Sequence, residues 1–231
     1  MTDAGNLVAA TSAYYAARSP VYDETAGYSD LEAEQIRIPI KARFQGLFKG
    51  HTVLEIACGT GYWTHTIGEV AESVLATDIN PCLLALARDR CKDLCNVSFQ
   101  IADAYTLAGV PTGFSAAFGI WWWSHVSREL LSVFLRVLHS KLQPGAPVLF
   151  VDQLPYAGHF RRQDPQGNTI ERRSLPDGRS FEIIKNFPTG EDVRGALAGI
   201  AHKVEYIERP DEKSWNVTYN VSTESPASSS G

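Results

Sequence analysis

The sequence predicts a doubly wound α/β fold: a seven-stranded, mostly parallel sheet with an antiparallel last strand and a β-hairpin inserted before the closing strands. Three observations carry that reading. From residue 51, short apolar runs alternate with helical segments, the pattern of βαβ units joined by right-handed crossovers. The first run leads into a Gly-Thr-Gly turn, and Pro-Gly and Pro-Asp-Gly pairs break the chain further on. A length of 231 residues, 44% hydrophobic and 20% charged, suits one domain with a full core and leaves little room for a second.

Residues 7–18 and 30–48 read as two helices, separated by "RSPVYDETAGY", where Pro20 and Gly27 interrupt the pattern. Residues 1–48 are expected to form a helical lid on a main domain at 49–222. "TVLEIA" is a buried strand, "YWTHTIGEV" a helix and "SVLATD" a second strand. In "NPCLLALARDRCKDL", Asn80 is placed to cap the next helix and Pro81 fills its first turn. "VSFQIAD" is a third strand and "FSAAFGIWWW" a fourth, with its tryptophans alternating in direction. "SHVSRELLSVFLRVLHSKL" is an amphipathic helix with apolar residues at 130, 131, 134, 135 and 138. "PGAPVLFVDQ" follows as a fifth strand.

At residue 155 the pattern changes. "RRSLPDGRSFEIIKNF" reads as two arms around a Pro-Asp-Gly turn, inside an insertion spanning 155–188. Its mixture of Arg161, Arg162, Arg172, Arg173, Arg179 and Lys185 with Asp164, Glu171, Asp177 and Glu182 suits a solvated ribbon. An arginine turned inward would instead favour an acidic or polar planar ligand. "GEDVRGALAGI" is a short helix, and "KVEYIE" and "SWNVTYN" are the closing strands. Residues 223–231 have the composition of a flexible tail.

Charge and composition exclude several classes. A net charge of -5 with no basic run argues against nucleic acid as a partner. No stretch approaches the roughly 18 apolar residues of a membrane helix. The N-terminal "MTDAGNLVAATSAYY" lacks a signal-peptide layout, so a cytoplasmic location is expected. Cysteines 58, 82, 91 and 95 lack zinc spacing and read as reduced, buried thiols.

The chemistry centres on "VLEIACGTGYWT". Glycines 59 and 61 let the backbone approach a ligand closely, and Asp78 ends the second strand, where a carboxylate can accept both ribose hydroxyl protons. A nicotinamide-binding fold wants a third glycine, but that position is Thr64. Nor does a pyrophosphate at the helix N-terminus need an upstream acid such as Glu55. A cationic ligand does explain that acid.

With Glu55, Gly59 and Gly61 at acid–x–x–x–Gly–x–Gly spacing, "LEIACGTG" resembles the first motif of class I S-adenosylmethionine-dependent methyltransferases, bacterial small-molecule type. The resemblance continues through Asp78 in "LATDIN", "QIADA", and "LQPGAPVLFVDQ" with its Leu-x-Pro-Gly turn. It is strong over residues 50–153 and looser over the two closing strands. It implies a Rossmann-like fold and S-adenosylmethionine as cofactor. Glu55 would meet the amino acid end and Asp78 the ribose, with Ala57 and Ile79 beside them. Asp103 would contact the adenine amino group, and the Ala104 backbone N–H would donate. A Tyr-Tyr…Tyr-Asp segment in "YYAARSPVYDE" implies a lid in which Tyr14 and Tyr22 touch the cofactor and Tyr15 the acceptor.

The acceptor is expected above the fourth strand's end, at "IWWWSHVS". Trp121 would wall the cofactor, Trp122 and Trp123 the acceptor, and His125 is the best placed general base. Packing or capping accounts for each of these residues equally well. The segment lacks the Asp/Asn-Pro-Pro-aromatic signature of enzymes that methylate DNA bases. Tryptophan replaces the first acid of the metal-dependent catechol type, so no metal is expected even with Asp152 present. The expected reaction is methyl transfer to oxygen or nitrogen of a small aromatic or heteroaromatic molecule. A nicotinamide oxidoreductase and a non-catalytic cofactor-binding module are the rivals.

Overall fold

The computed structural model describes residues 3–223, so most of the expected tail lies outside the described residues. Helices α1 (Asp3–Arg18), α2 (Tyr22–Thr25) and α3 (Leu31–Phe48) precede the sheet. The alternating part then runs β1 (Thr52–Ile56), α4 (Tyr62–Gly68), β2 (Ser73–Asp78), α5 (Pro81–Arg90), β3 (Val97–Ile101), β4 (Ala116–Ile120), α6 (Leu131–His139) and β5 (Pro147–Gln153). After it come β6 (Arg161–Gln163), β7 (Thr169–Ser174), β8 (Ser180–Ile184), α7 (Gly190–Leu197), β9 (Ala201–Arg209) and β10 (Ser214–Val221).

The main sheet has seven strands in the order β3-β2-β1-β4-β5-β10-β9. Strands β1 to β5 pair in parallel, and β10 runs antiparallel to both neighbours. Alternation along the strands feeds two cores. Leu54, Ile56, Ala117, Val148 and Phe150 point to one face, packed with Phe134, Leu135 and Leu138 of α6. Val53, Ala116, Phe118, Leu149 and Val151 point to the other, against Phe44 and Phe48 of α3 and Trp63 and Ile67 of α4. Burial on both faces is what makes the parallel strands near-continuous apolar runs in sequence.

Several boundaries differ from expectation. β4 ends at Ile120, so the three tryptophans are not on a strand and do not alternate. Trp121 turns the chain with φ at 62°, and Trp123–His125 form a 3₁₀ turn. The following helix begins at Leu131, so His125 precedes it by one loop. Asn80 stands at the N-cap of α5 without a side-chain cap bond. All four cysteines are free, but Cys82 and Cys95 are exposed rather than buried.

The insertion holds the expected hairpin, β7-β8, which β6 extends into a three-stranded antiparallel sheet. It is also less solvated than its charges suggest. Glu171 is fully buried, paired with Arg161 (Nε–Oε2 2.7 Å) and with Arg173. Lys185 is buried against Asp152 of β5 (Nζ–Oδ1 3.0 Å) and donates to Ser124 Oγ at 2.8 Å. Helix α1 packs on this small sheet, with Tyr14 against Leu175 and Ile183.

Candidate active site

The strand order reverses between β1 and β4, the place where open α/β sheets hold ligands beyond the carboxyl ends of their strands. A cavity of about 780 Å³, its open mouth included, lies there. β1 runs out into Ala57, and β4 beside it into Trp121; both residues are left-handed, with φ at 55° and 62°. That conformation costs a non-glycine residue roughly 1–2 kcal/mol. Backbone bonds hold it, from Cys58 N to Thr77 O at 2.9 Å and from Trp121 N to Val151 O at 2.8 Å. Both strained residues line the cavity.

Asp78, at the end of β2, is buried and fixed by its neighbours. Its Oδ2 accepts from Gly59 N at 3.0 Å and its Oδ1 from Asn80 N at 2.9 Å. Burial raises its pKa, against the pull of those backbone donors. Asp103, after β3, is exposed, and its Oδ1 accepts from Tyr105 N at 2.8 Å. Asp78, Ile79, Asp103 and Ala104 all line the cavity, as does Gly59. A Cβ on Gly59 would lie 3.6 Å from Tyr22 Oη, so the bare glycine faces the Tyr22 ring.

Two residues of the glycine motif stand behind the wall. Gly61, with φ at 77°, packs α4 on α5: a Cβ there would sit 2.9 Å from Ala87 Cα. Glu55 is 3% exposed, and its Oε2 accepts from Thr64 Oγ1 at 2.6 Å. Thr64, where a third glycine would stand in a dinucleotide fingerprint, is therefore the partner of the acid that such a fingerprint does not need. Burial pushes the Glu55 carboxyl up to about 8, with Thr64 opposing and Asp78 adding to the rise.

Tyr15, Tyr22, Trp121, Trp122 and His125 line the same cavity as the acids and give it an aromatic lining. Tyr14 and Trp123 do not reach the cavity. Tyr14 packs edge-on to Phe181 (5.7 Å between centroids), and Trp123 packs on Phe150 (5.1 Å) and Trp215 (6.0 Å). Helix α1 adds Val8, Thr11 and Ser12, and Ser12 Oγ donates to Asn80 Oδ1 at 3.2 Å. Neither Ser12 nor Thr11 carried a sequence signal, because α1 is rich in small residues without a strong apolar stripe. Asn80, Leu83 and Tyr105 also line the site. Their nearness in sequence to Asp78 and Asp103 is the signal that would have found them.

His125 is buried, and its hydrogen bonds define its tautomer. Nδ1 lies 2.6 Å from Ile184 O, an atom that can only accept, so Nδ1 carries the proton. Nε2 is then the acceptor for Tyr15 Oη at 2.7 Å. Burial, helped by the Lys185 ammonium, holds the imidazole down to about 3, so it is neutral at physiological pH.

The wall carries the carboxylates of Asp78 and Asp103 and no lysine or arginine. Such a cavity favours a cationic ligand; a pyrophosphate would face two acids with no cation to meet it. Among the described residues, no group of three or more His, Cys, Asp or Glu could hold a metal. No described helix is long and apolar enough to cross a membrane.

Residues 53–145 match the family model described as "Methyltransferase domain". Over nearly its whole length the chain is similar to the structure of DhpI with SAH: 28% identity, a TM-score of 0.73, and 94% of this chain and 98% of that one covered. The DhpI complex with SAM and HEP gives 26% identity, a TM-score of 0.75 and coverage of 95% and 99%. The chain carries a class I S-adenosylmethionine-dependent methyltransferase domain. This methyltransferase domain is also similar to the demethylmenaquinone methyltransferase of Tropheryma whipplei (strain Twist), 34% identical over 58 residues. That match spans 25% of this chain and 24% of the relative's length.

Proposed function

We propose that the protein binds S-adenosylmethionine in this cavity and directs its methyl group to an oxygen or nitrogen of a small aromatic or heteroaromatic molecule. The carrying observation is one cavity lined by two acids and several aromatic side chains, with no lysine or arginine. When bound, the cofactor supplies a methyl group already activated on a cationic sulfur. The chain's residues therefore have mainly to bind, align and exclude water.

In this reading Asp78 accepts from the ribose hydroxyls, its carboxylate fixed by the Gly59 and Asn80 N–H groups. Asp103 and the Ala104 N–H meet the adenine. Ala57, Gly59, Ile79 and Trp121 line the place of the ligand, with Tyr22 packed beside Gly59. Glu55 and Gly61 act from behind the wall, one by fixing Thr64 of α4 against β1 and the other by seating α4 on α5. Tyr15, Trp122 and His125 remain for the acceptor. The printed names of the relatives support a small molecule as acceptor without fixing its class: one DhpI complex holds HEP beside SAM, and the Tropheryma whipplei protein is named for demethylmenaquinone. The place of action is the cytoplasm.

The test is transfer of a radiolabelled methyl group from S-adenosylmethionine across a panel of phenols, hydroxyheteroaromatics, anilines and alkyl amines. Labelled product from one of these classes, lost in Asp78→Ala, is the expected result. Cofactor binding without product on any of them would leave a binding module instead.

A further inference from the structure

Nothing in methyl transfer itself requires a base, yet the acceptor side of the cavity holds a pair of side chains arranged to move a proton. Tyr15 Oη sits 2.7 Å from His125 Nε2, and both residues line the cavity. The Ile184 carbonyl, 2.6 Å from Nδ1, keeps the proton on that nitrogen and leaves Nε2 bare. With Nε2 accepting, the phenolic proton must point at the imidazole. The phenol oxygen then presents only lone pairs to the cavity, so a ligand hydroxyl meeting it must donate.

On the methyltransferase reading above, we propose that Tyr15 and His125 form a proton relay serving an acceptor that arrives as a protonated hydroxyl, an alcohol or a phenol. Tyr15 is the catalytic residue, touching the acceptor. His125 acts through it. As the acceptor oxygen gains its bond to carbon, its O–H bond breaks towards Tyr15 Oη. The Tyr15 O–H bond breaks in turn, and an N–H bond forms at His125 Nε2. One proton leaves the acceptor and one arrives on the imidazole. The positive charge lost at sulfur reappears there, so charge balances with no further reactant.

The surroundings fit a base that stays neutral until it is used. Burial and Lys185 hold His125 uncharged, with Arg173 acting in the same direction, while the Asp152 carboxylate and the Ile184 carbonyl favour the cation. Burial also keeps the Tyr15 phenol protonated, against the pull of Arg18 and Arg173 and with the help of Tyr14 and Asp152. An imidazole of low basicity is sufficient here, because an alcohol that has gained a methyl group is a far stronger acid than an imidazolium.

Two measurements test the relay, and one needs no acceptor. In protein labelled with 15N at histidine, the His125 resonance, assigned by its loss in His125→Gln, should show a protonated Nδ1 and a bare, hydrogen-bonded Nε2 from pH 5 to 8. Tyr15→Phe should shift Nε2 alone. A proton on Nε2, an imidazolium at pH 6, or no response to Tyr15→Phe would overturn the relay whatever the fate of the methyltransferase reading. The second measurement compares a phenol with the thiophenol of the same shape at pH 8, where only the thiol arrives ionised. The ratio of phenol to thiophenol turnover should fall about 100-fold or more in both variants, within the range for general base catalysis. If turnover is present and the two acceptors lose rate together, Tyr15 and His125 only shape the pocket. Absence of all transfer would tell against the methyltransferase reading, leaving the tautomer experiment to decide the pair.

Discussion

Glu55 meets the Thr64 hydroxyl in a place that water hardly reaches, and this contact makes its protonation a reporter of the folded state. Its folded pKa of about 8 lies above the ordinary 4.5. The folded chain therefore binds a proton that the unfolded chain has released. Its contribution to stability is complete below about 4.5 and is lost as pH rises to about 8. Glu55→Gln, which keeps the shape and never ionises, should gain on the parent by roughly 1 kcal/mol per pH unit across that window, read from urea midpoints at pH 5 and 8. A difference that does not vary with pH would mean the carboxyl is charged when folded. The sequence made the position of Asp78 and Gly59 at the cavity legible because it depends on strand-end spacing. It hid the Glu55–Thr64 bond, which depends on how far α4 leans over β1. It also hid the separation of Tyr14 from Tyr15: adjacent helical residues point in different directions, and only the insertion shows which of them faces inward.

Among the elements, the insertion is coupled to the main sheet by a buried charge pair. Lys185, just beyond β8, reaches Asp152 on β5, and Ser124 receives the lysine on Oγ while its own N–H donates to Asp152 Oδ2 at 2.8 Å. Opposite charges deep in the protein are costly to separate. Lys185→Met should therefore cost about 3–5 kcal/mol in a urea titration, because it strands the Asp152 charge. Adding Asp152→Leu should recover most of the loss; a double variant no better than the single would show that packing rather than charge is at stake. The seven-stranded sheet was legible because strands buried on both faces read as apolar runs. The tryptophan run misled on the same ground, since three apolar residues after Ile120 continue the pattern while the backbone turns at Trp121. β6 is three residues, Arg161–Gln163, two of them arginines, and it exists only by pairing with β7. Local composition carries no trace of such pairing.

For the whole molecule, topology and charge together choose the ligand. The fold brings the ends of β1, β2, β3 and β4 to one cavity and closes it with α1, which the insertion holds in place. Two acids and no lysine or arginine line it, so the same glycine turn that serves a pyrophosphate elsewhere borders a cavity suited to a cation here. The overall charge of -5 would not have shown this, because it sums over the surface and not over the cavity. The most direct measurement is a thermal-shift titration with S-adenosylhomocysteine beside NADH, on the parent and on Asp78→Ala. At about 100 times the dissociation constant, the ligand should stabilise the fold by roughly 2.7 kcal/mol. For a chain of this size that is a rise of about 5–10 °C. The account predicts that rise with S-adenosylhomocysteine, none with NADH, and its loss in Asp78→Ala. A rise with NADH and none with S-adenosylhomocysteine would contradict it.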